Sequence, residues 1–179
     1  NFLKFRGSYG VLGNDQIPTN GYVSILNGEA QYVFDGTIAN GVASGQVPNP
    51  DLKWEEAQKF DVGFDMKMFQ NKINIVADYF IDTRADLLIQ DIPVSGINGT
   101  GAPGAKSPTL NAGTVRNSGF EFAIDYKTKF SENFTFSIGY NATFIKNEVL
   151  EVNNGTGFIE KGSFGVGQPF ISRMEEGKP

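Results

Sequence analysis

Between Lys59 and Met68 every second residue is apolar: Phe60, Val62, Phe64, Met66 and Met68, separated by Asp61, Gly63, Asp65 and Lys67. Successive side chains of a β-strand point to opposite faces, so this spacing predicts a strand with one apolar and one polar or small face. After Phe69-Gln70-Asn71-Lys72 the alternation resumes. Ile73, Ile75, Ala77, Tyr79 and Ile81 share one face, and Asn74, Val76, Asp78, Phe80 and Asp82 share a more mixed one. The short polar stretch around Asn71 joins the two runs as a hairpin.

The plan repeats. Phe120, Phe122, Ile124 and Tyr126 alternate with Glu121, Ala123, Asp125 and Lys127; a turn follows at Phe130-Ser131-Glu132-Asn133; Phe134, Phe136, Ile138, Tyr140, Ala142 and Phe144 then alternate with Thr135, Ser137, Gly139, Asn141 and Thr143. A further strand opens the chain, with Leu3, Phe5, Gly7 and Tyr9 against Lys4, Arg6, Ser8 and Gly10. The predicted strands are 3–10, 57–69, 73–83, 118–129 and 134–146. Short turns alternate with long connections at 11–53, 84–116 and 147–179, which are rich in Gly, Pro, Asn and Ser.

A soluble antiparallel sheet alternates in the same way, because one face packs a core. Four features favour a wall in lipid. The apolar stripes have the ~9–11 residues of a tilted membrane-crossing strand, where soluble strands have ~5–6. Arg6, Asp61, Asp65, Asp78 and Asp125 sit in mid-strand on the polar face, as a wet lumen tolerates. Aromatic residues gather near strand ends, with Phe69, Tyr126, Phe130 and Phe134 by the short turns and Tyr9, Trp54, Tyr140 and Phe144 toward the long loops. Short turns on one side and long loops on the other is the outer-membrane pattern. Open edges do not survive in lipid and the smallest such barrels have about eight strands, so five strands read as an internal piece of a longer chain.

Composition removes several chemistries. The chain has no Cys and no His, hence no disulfide, thiolate nucleophile, imidazole base or Cys/His zinc site. A formal charge of -5 gives no overall attraction to nucleic acid. Charged residues are too few, at 20%, and aromatics too many, at 13%, for a disordered chain.

The segment Asn49-Pro50-Asp51-Leu52-Lys53-Trp54-Glu55-Glu56, leading into Val62-Gly63-Phe64-Asp65, resembles the SusC/RagA family of TonB-linked outer-membrane transporters of Bacteroidetes. Other stretches agree in order: Leu3-Lys4-Phe5-Arg6-Gly7-Ser8-Tyr9-Gly10 with Gly13-Asn14-Asp15, Asp78-Tyr79-Phe80 through Thr83-Arg84-Ala85-Asp86-Leu87-Leu88, Asn111-Ala112-Gly113 through Asn117-Ser118-Gly119-Phe120-Glu121, then Gly167-Gln168-Pro169 and Glu176-Gly177-Lys178-Pro179. Residues 18–47 match nothing in the pattern. The resemblance implies an all-β antiparallel transmembrane barrel of 22 strands, of which 1–179 is part of a single barrel domain. It also implies an N-terminal plug, a TonB box and a signal peptide outside this chain. Its expected partners are TonB, a SusD-like surface lipoprotein lid, outer-membrane lipid and lipopolysaccharide, and a glycan or peptide substrate. Import of a bulky nutrient is the implied function; a soluble β-sandwich binding carbohydrate or a cell surface, or a passive porin, are the alternatives.

Candidate chemistry is thin, and no catalytic, cofactor-binding, metal or substrate-binding residue is assigned. Asp61 and Asp65 lie four apart, roughly 13 Å along a strand, beyond the ~5–9.5 Å of a glycosidase pair; with Glu55 and Glu56 they read as wall carboxylates. Asp82, Asp86 and Asp91 lack the spacing of a Ca²⁺ loop. The Asn-x-Thr triplets at Asn98, Asn133, Asn141 and Asn154 read as chance. The stretch from Gly96 to Gly104 has no phosphate-loop ending and reads as an exterior loop. Tyr22, Tyr32, Phe34 and Phe158 either stack on a ligand or pack within the loops.

Overall fold

The computed structural model describes residues 1–27, 30–90, 107–162, 164–165 and 167–179. Its strands in chain order are β1 (Phe2–Asn14), β2 (Leu26–Asn27), β3 (Gln31–Phe34), β4 (Thr37–Asn40), β5 (Ala43–Ser44), β6 (Glu55–Met68), β7 (Ile73–Ala85), β8 (Leu88–Ile89), β9 (Leu110–Asn111), β10 (Gly113–Ser131), β11 (Phe134–Val152), β12 (Phe158–Lys161) and β13 (Ser172–Glu175). The long strands form one antiparallel sheet in the order β1-β6-β7-β10-β11, an up-and-down meander. The shorter strands pair off as β2-β5, β3-β4, β8-β9 and β12-β13.

Register carries the two faces across the whole sheet. Phe5, Phe64, Ala77, Phe122 and Ala142 lie side by side. The rows on either side are Leu3, Met66, Ile75, Ile124, Tyr140 and Gly7, Val62, Tyr79, Phe120, Phe144. The alternate rows are polar, including Arg6, Gly63, Asp78, Glu121, Thr143 and Gly10, Lys59, Asp82, Asn117, Asn147. From Phe60 to Met68 the stripe runs about 27 Å along the strand, or ~21 Å in height at a ~40° tilt, close to the ~25 Å apolar band of an outer-membrane barrel.

The long strands cover their expected ranges, except that β6 stops at Met68 where 69 was expected because Phe69 enters the turn, and each runs further toward the long loops. β10 begins at Gly113 where 118 was expected, and β11 continues to Val152 where 146 was expected. At the level where β10 and β11 extend, the outward row is Gln58, Thr83, Arg116 and Glu148. Pairing therefore continues after the apolar stripe has ended. The extension also corrects one placement. Tyr140 shares a row with Leu3 and Met66, in the half of β11 nearer the short turn, and does not lie at the loop end.

The β6–β7 turn has Phe69, Gln70 and Asn71 all at positive φ, 53°, 59° and 65°. The Lys72 amide donates to the Phe69 carbonyl at 3.3 Å, so Gln70-Asn71 form the mirror-image turn whose twist suits a hairpin. At the far corner, Gly177 (φ 77°) and Lys178 face the single residue Val149: Gly177 N donates to Val149 O, and Val149 N donates to Lys178 O, both at 2.8 Å. This is a bulge of the kind that places a left-handed glycine first. It puts the Glu176-Gly177-Lys178 motif on the free edge of β11.

There is no second layer over the sheet among the described residues. Among the described residues the buried apolar side chains are Ala77, Pro108 and a small cluster of Ala112, Val149, Val152 and Ile159 near the loop end, flanked by Ile89, Leu110, Val115 and Met174. The surface is 12539 Å², against about 8,500 Å² expected of a compact soluble protein of this mass. That excess, with Phe5 74%, Phe144 67% and Ile138 59% exposed, rejects the soluble β-sandwich. The chain is a single wall with both faces open.

Candidate functional site

Two groups of polar residues are organised by this wall. The first lies at mid-height on the polar face. Arg6 of β1 meets Asp65 of β6 with Nε and Nη2, each 3.2 Å from a carboxylate oxygen, and its Nη2 also lies 3.0 Å from Asp78 Oδ2 on β7. Arg6, Gly63 and Asp78 are one row. A β-carbon at Gly63 would fall on the Asp78 carboxylate and 2.7 Å from the Ala77 carbonyl. Only glycine at 63 lets an arginine and a carboxylate two strands apart join above it.

The same device recurs. The Phe80 ring lies over Gly119, and an Asp125 oxygen lies over Gly139. One row nearer the loops than Asp61 and Phe80, Lys59 Nζ is 2.7 Å from Asp82 Oδ2, and Asn147 Nδ2 donates to Asn117 Oδ1 at 2.7 Å. Asp61 and Glu121, on this face too, make no ion pair among the described residues.

The second group is a collar at the loop end. Glu55 Oε2 accepts from Asn14 Nδ2 at 2.8 Å, and its Oε1 accepts from the Leu88 amide at 2.9 Å. Asn111 is a hub: its Oδ1 accepts from the Lys53 amide at 2.8 Å, while its Nδ2 donates to Lys53 O at 2.9 Å and Asp86 O at 2.8 Å. Asn49 Nδ2 donates to Thr109 O at 3.0 Å. Stretches far apart in sequence, around Asn14, Lys53-Trp54-Glu55, Asp86-Leu87-Leu88 and Asn111-Ala112-Gly113, are thus stapled together. A cavity of about 320 Å³ opens between them, lined among others by Asn49, Asp51, Lys53 and Asn153.

Most of the acids weighed as chemistry are accounted for by these contacts; Asp61 makes no ion pair among the described residues. Asp65 is neutralised by Arg6, Asp82 by Lys59, and Glu55 is a staple, while Glu56 accepts from Gln58 at 2.7 Å. Asp86 contributes its backbone carbonyl, from a left-handed conformation with φ 56°. Among the described residues no group of His, Cys, Asp or Glu is arranged to hold a metal ion. Asp91, Asn98 and the stretch from Gly96 to Gly104 lie outside the described residues. Asn154 closes its own turn, accepting from Thr156 and Gly157 at 2.9–3.1 Å. Asn141 lies within β11 and Asn133 in the β10–β11 turn.

The described residues of 18–47, a stretch which carried no recognisable pattern, include the short strands β2–β5 of an arm. Its tip is a hairpin turning at Asp35-Gly36, both at positive φ (47° and 73°). Asp-Gly between Tyr32-Val33-Phe34 and Thr37-Ile38 is a hairpin signal in the sequence, and it escaped the periodicity reading. Tyr32 and Phe34 sit on one face of the arm, edge to face at 4.8 Å, both about two-thirds exposed. Phe158 behaves differently: it lies under Arg173, whose guanidinium carbon is 3.9 Å from the ring centre.

The wall and its collar agree with known proteins. Residues 2–171 match the family described as TonB dependent receptor-like, beta-barrel. A TonB-dependent receptor of Formosa agariphila is 33% identical over 127 residues, 71% of this chain and 11% of that protein. The TonB-dependent receptor SusC of Bacteroides thetaiotaomicron is 30% identical over 130 residues, 70% of this chain and 12% of that protein. Among solved structures, the RagAB peptide transporter superposes with a TM-score of 0.74 at 24% identity, over 99% of this chain and 18% of that one. The RagAB peptide importer in its open-open state gives 0.78 at 23%.

These matches define a segment of an antiparallel outer-membrane β-barrel. The chain belongs to the TonB-dependent receptor β-barrel family and is SusC/RagA-like. It spans about one-eighth or less of the length of the curated relatives it matches.

Proposed function

We propose that this chain is wall and loop structure of a transporter that imports a bulky nutrient, an oligosaccharide or a peptide, across the bacterial outer membrane. In this reading the Phe64 face contacts lipid and the Arg6 face lines the lumen. The loop end of the sheet, with the β3–β4 arm, lies outside the cell, and the turns at 70–72 and 131–133 lie in the periplasm. The barrel is completed by strands outside this chain to about 22, a size that leaves a plugged lumen. TonB supplies energy through a segment outside residues 1–179, and a SusD-like lipoprotein covers the loop side. No catalytic role is proposed for any of the described residues.

The observation that carries this reading is the uninterrupted two-faced sheet. An apolar face continuous across five strands, backed by an ion-paired face, suits only a wall with lipid on one side and water or polar protein on the other. A passive porin would share that wall; family membership favours the energised importer over it. Deleting the gene and then restoring it, with and without a working TonB, tests the function. Uptake of a labelled oligosaccharide or peptide should require both. Uptake unaffected by TonB loss would leave the porin reading.

A further inference from the structure

The outward face of the wall carries a groove at the loop end of its apolar stripe. Tyr79, Phe120 and Phe144 form one row there, and Ile81, Ser118 and Lys146 form the next row toward the loops. Ser118 is short where its neighbours are long, and an open cavity of about 280 Å³ lies over it, walled by Tyr79, Phe120, Phe144 and Lys146. One row further stand Thr83, Arg116 and Glu148. Lys146 and Arg116 are both exposed. Lys146 Nζ lies 2.8 Å from Glu148 Oε2, whereas Arg116 makes no ion pair among the described residues. The other carboxylates of this face at this end, Glu56 and Glu151, stand one row beyond Arg116, beside Ala85 and Thr114. Rising from the apolar stripe, the order is therefore aromatic rings, then two cations with one carboxylate, then carboxylates alone.

We propose that this groove is a binding site for a phosphorylated glycolipid of the outer leaflet, a lipopolysaccharide, with an acyl chain along Tyr79, Phe120 and Phe144 and a sugar phosphate against Lys146 and Arg116. The inference rests on the assignment of the Phe64 face to lipid and of the loop end to the cell exterior. A guanidinium presents a planar fork that fits two phosphate oxygens, and an ammonium adds a point charge. Both groups border hydrocarbon, where an ion pair is stronger than in open water. Glu148 engages Lys146 and leaves one positive charge over at this level. Glu56 and Glu151 stand where the sugars of such a lipid would lie, and an ionised carboxylate accepts hydrogen bonds from hydroxyl groups. A phospholipid also carries a phosphate, but the phospholipid of an outer membrane lies in its inner leaflet, at the end of the sheet that holds the short turns. The groove is at the other end.

The test uses the full-length receptor, delipidated in detergent and titrated with purified lipopolysaccharide, with the same material after phosphatase treatment, and with phosphatidylglycerol; bound lipid is counted by native mass spectrometry. Joint replacement Arg116→Gln and Lys146→Gln should weaken binding of the phosphorylated glycolipid by about tenfold or more, since bonds to charged groups are at stake. Phosphatase treatment should weaken binding to the wild type and make no difference to the double variant. Lys67→Gln, which removes a cation from the opposite face, should bind as the wild type does. Arg116→Lys keeps the charge and loses the fork; it should fall between the wild type and the double variant, and it gives a reading should the double variant fail to fold. Equal binding by all variants, or binding indifferent to phosphatase, would overturn the proposal. Phosphatidylglycerol bound as tightly as lipopolysaccharide would overturn the choice of glycolipid. A fluorophore at position 64 separates this site from the reading beneath it. Quenching of that label by brominated lipid, with binding unchanged in the double variant, would remove the site and keep the lipid face. No quenching at 64 would remove the lipid face itself.

Discussion

Arg6 and Asp78 form an ion pair across a strand to which neither belongs, with Nη2 3.0 Å from Oδ2 directly above Gly63. The pair bridges β1, β6 and β7 and fixes their relative register on the polar face. A methyl group at 63 would displace Asp78 and press on a backbone carbonyl. Gly63→Ala should therefore cost about 1–3 kcal/mol, as overpacking does. Gly10, on the same face with open space around it, should accept Ala within ~0.5 kcal/mol. Urea midpoints for the full-length receptor in lipid vesicles give both numbers. Equal costs would show that the bridge does not constrain the wall.

Phe64 and Asp65 are neighbours in sequence and lie on opposite faces of β6. Phe64→Arg should cost ~2–4 kcal/mol at mid-bilayer. Asp65→Asn gives up a partly exposed ion pair and should cost about 1 kcal/mol or less. The fraction folded into vesicles as urea is raised compares them directly.

The collar predicts an unusual ranking at Asn111. Its amide nitrogen donates to two carbonyls while its oxygen accepts from the Lys53 amide. Asn111→Asp keeps the acceptor but sets a carboxylate against the carbonyls of Lys53 and Asp86. It should destabilise the collar at least as much as Asn111→Ala, with each lost bond worth about 1 kcal/mol. Limited proteolysis of whole cells reads this as faster cleavage within residues 15–53. Wild-type cleavage rates in both variants would show that Asn111 does not hold the arm.

Glu55→Gln should fall between wild type and Glu55→Ala in the same assay. A glutamine retains an oxygen for the Leu88 amide but presents no second acceptor to Asn14.

The long β3–β4 arm presents Tyr32 and Phe34 to solvent. If the arm meets substrate, Tyr32→Ala with Phe34→Ala should lower uptake at limiting substrate and leave the vesicle-folding midpoint unchanged. Unaltered uptake would remove the arm from substrate contact.

Strand location was legible wherever the outward face is apolar. Phe60 through Met68 and Phe134 through Phe144 announce themselves by alternation, because lipid demands an apolar residue at every second position. The same strands became invisible at Arg116 and Glu148, where the outward face meets water and polar residues serve as well. The Arg6–Asp78 bridge could not be read from sequence, since it depends on which residues three strands bring into one row. Glu55 looked like a spare carboxylate for a similar reason: its partners, Asn14 and the Leu88 amide, lie 41 and 33 residues away. Several of the segments that carried the family resemblance, at Asn14, 49–56, 86–88 and 111–113, meet in the collar, while the arm at 18–47 carried none of it.

The central claim is that β6 stands between lipid and lumen. Single cysteines at Phe64 and at Asp65, in a cysteine-free full-length receptor reconstituted into lipid, can each carry an environment-sensitive fluorophore. Brominated lipid should quench the label at 64 and leave 65 bright, while aqueous iodide should reach 65 in preference to 64. Quenching of both labels by iodide, with neither reached by brominated lipid, would contradict the wall.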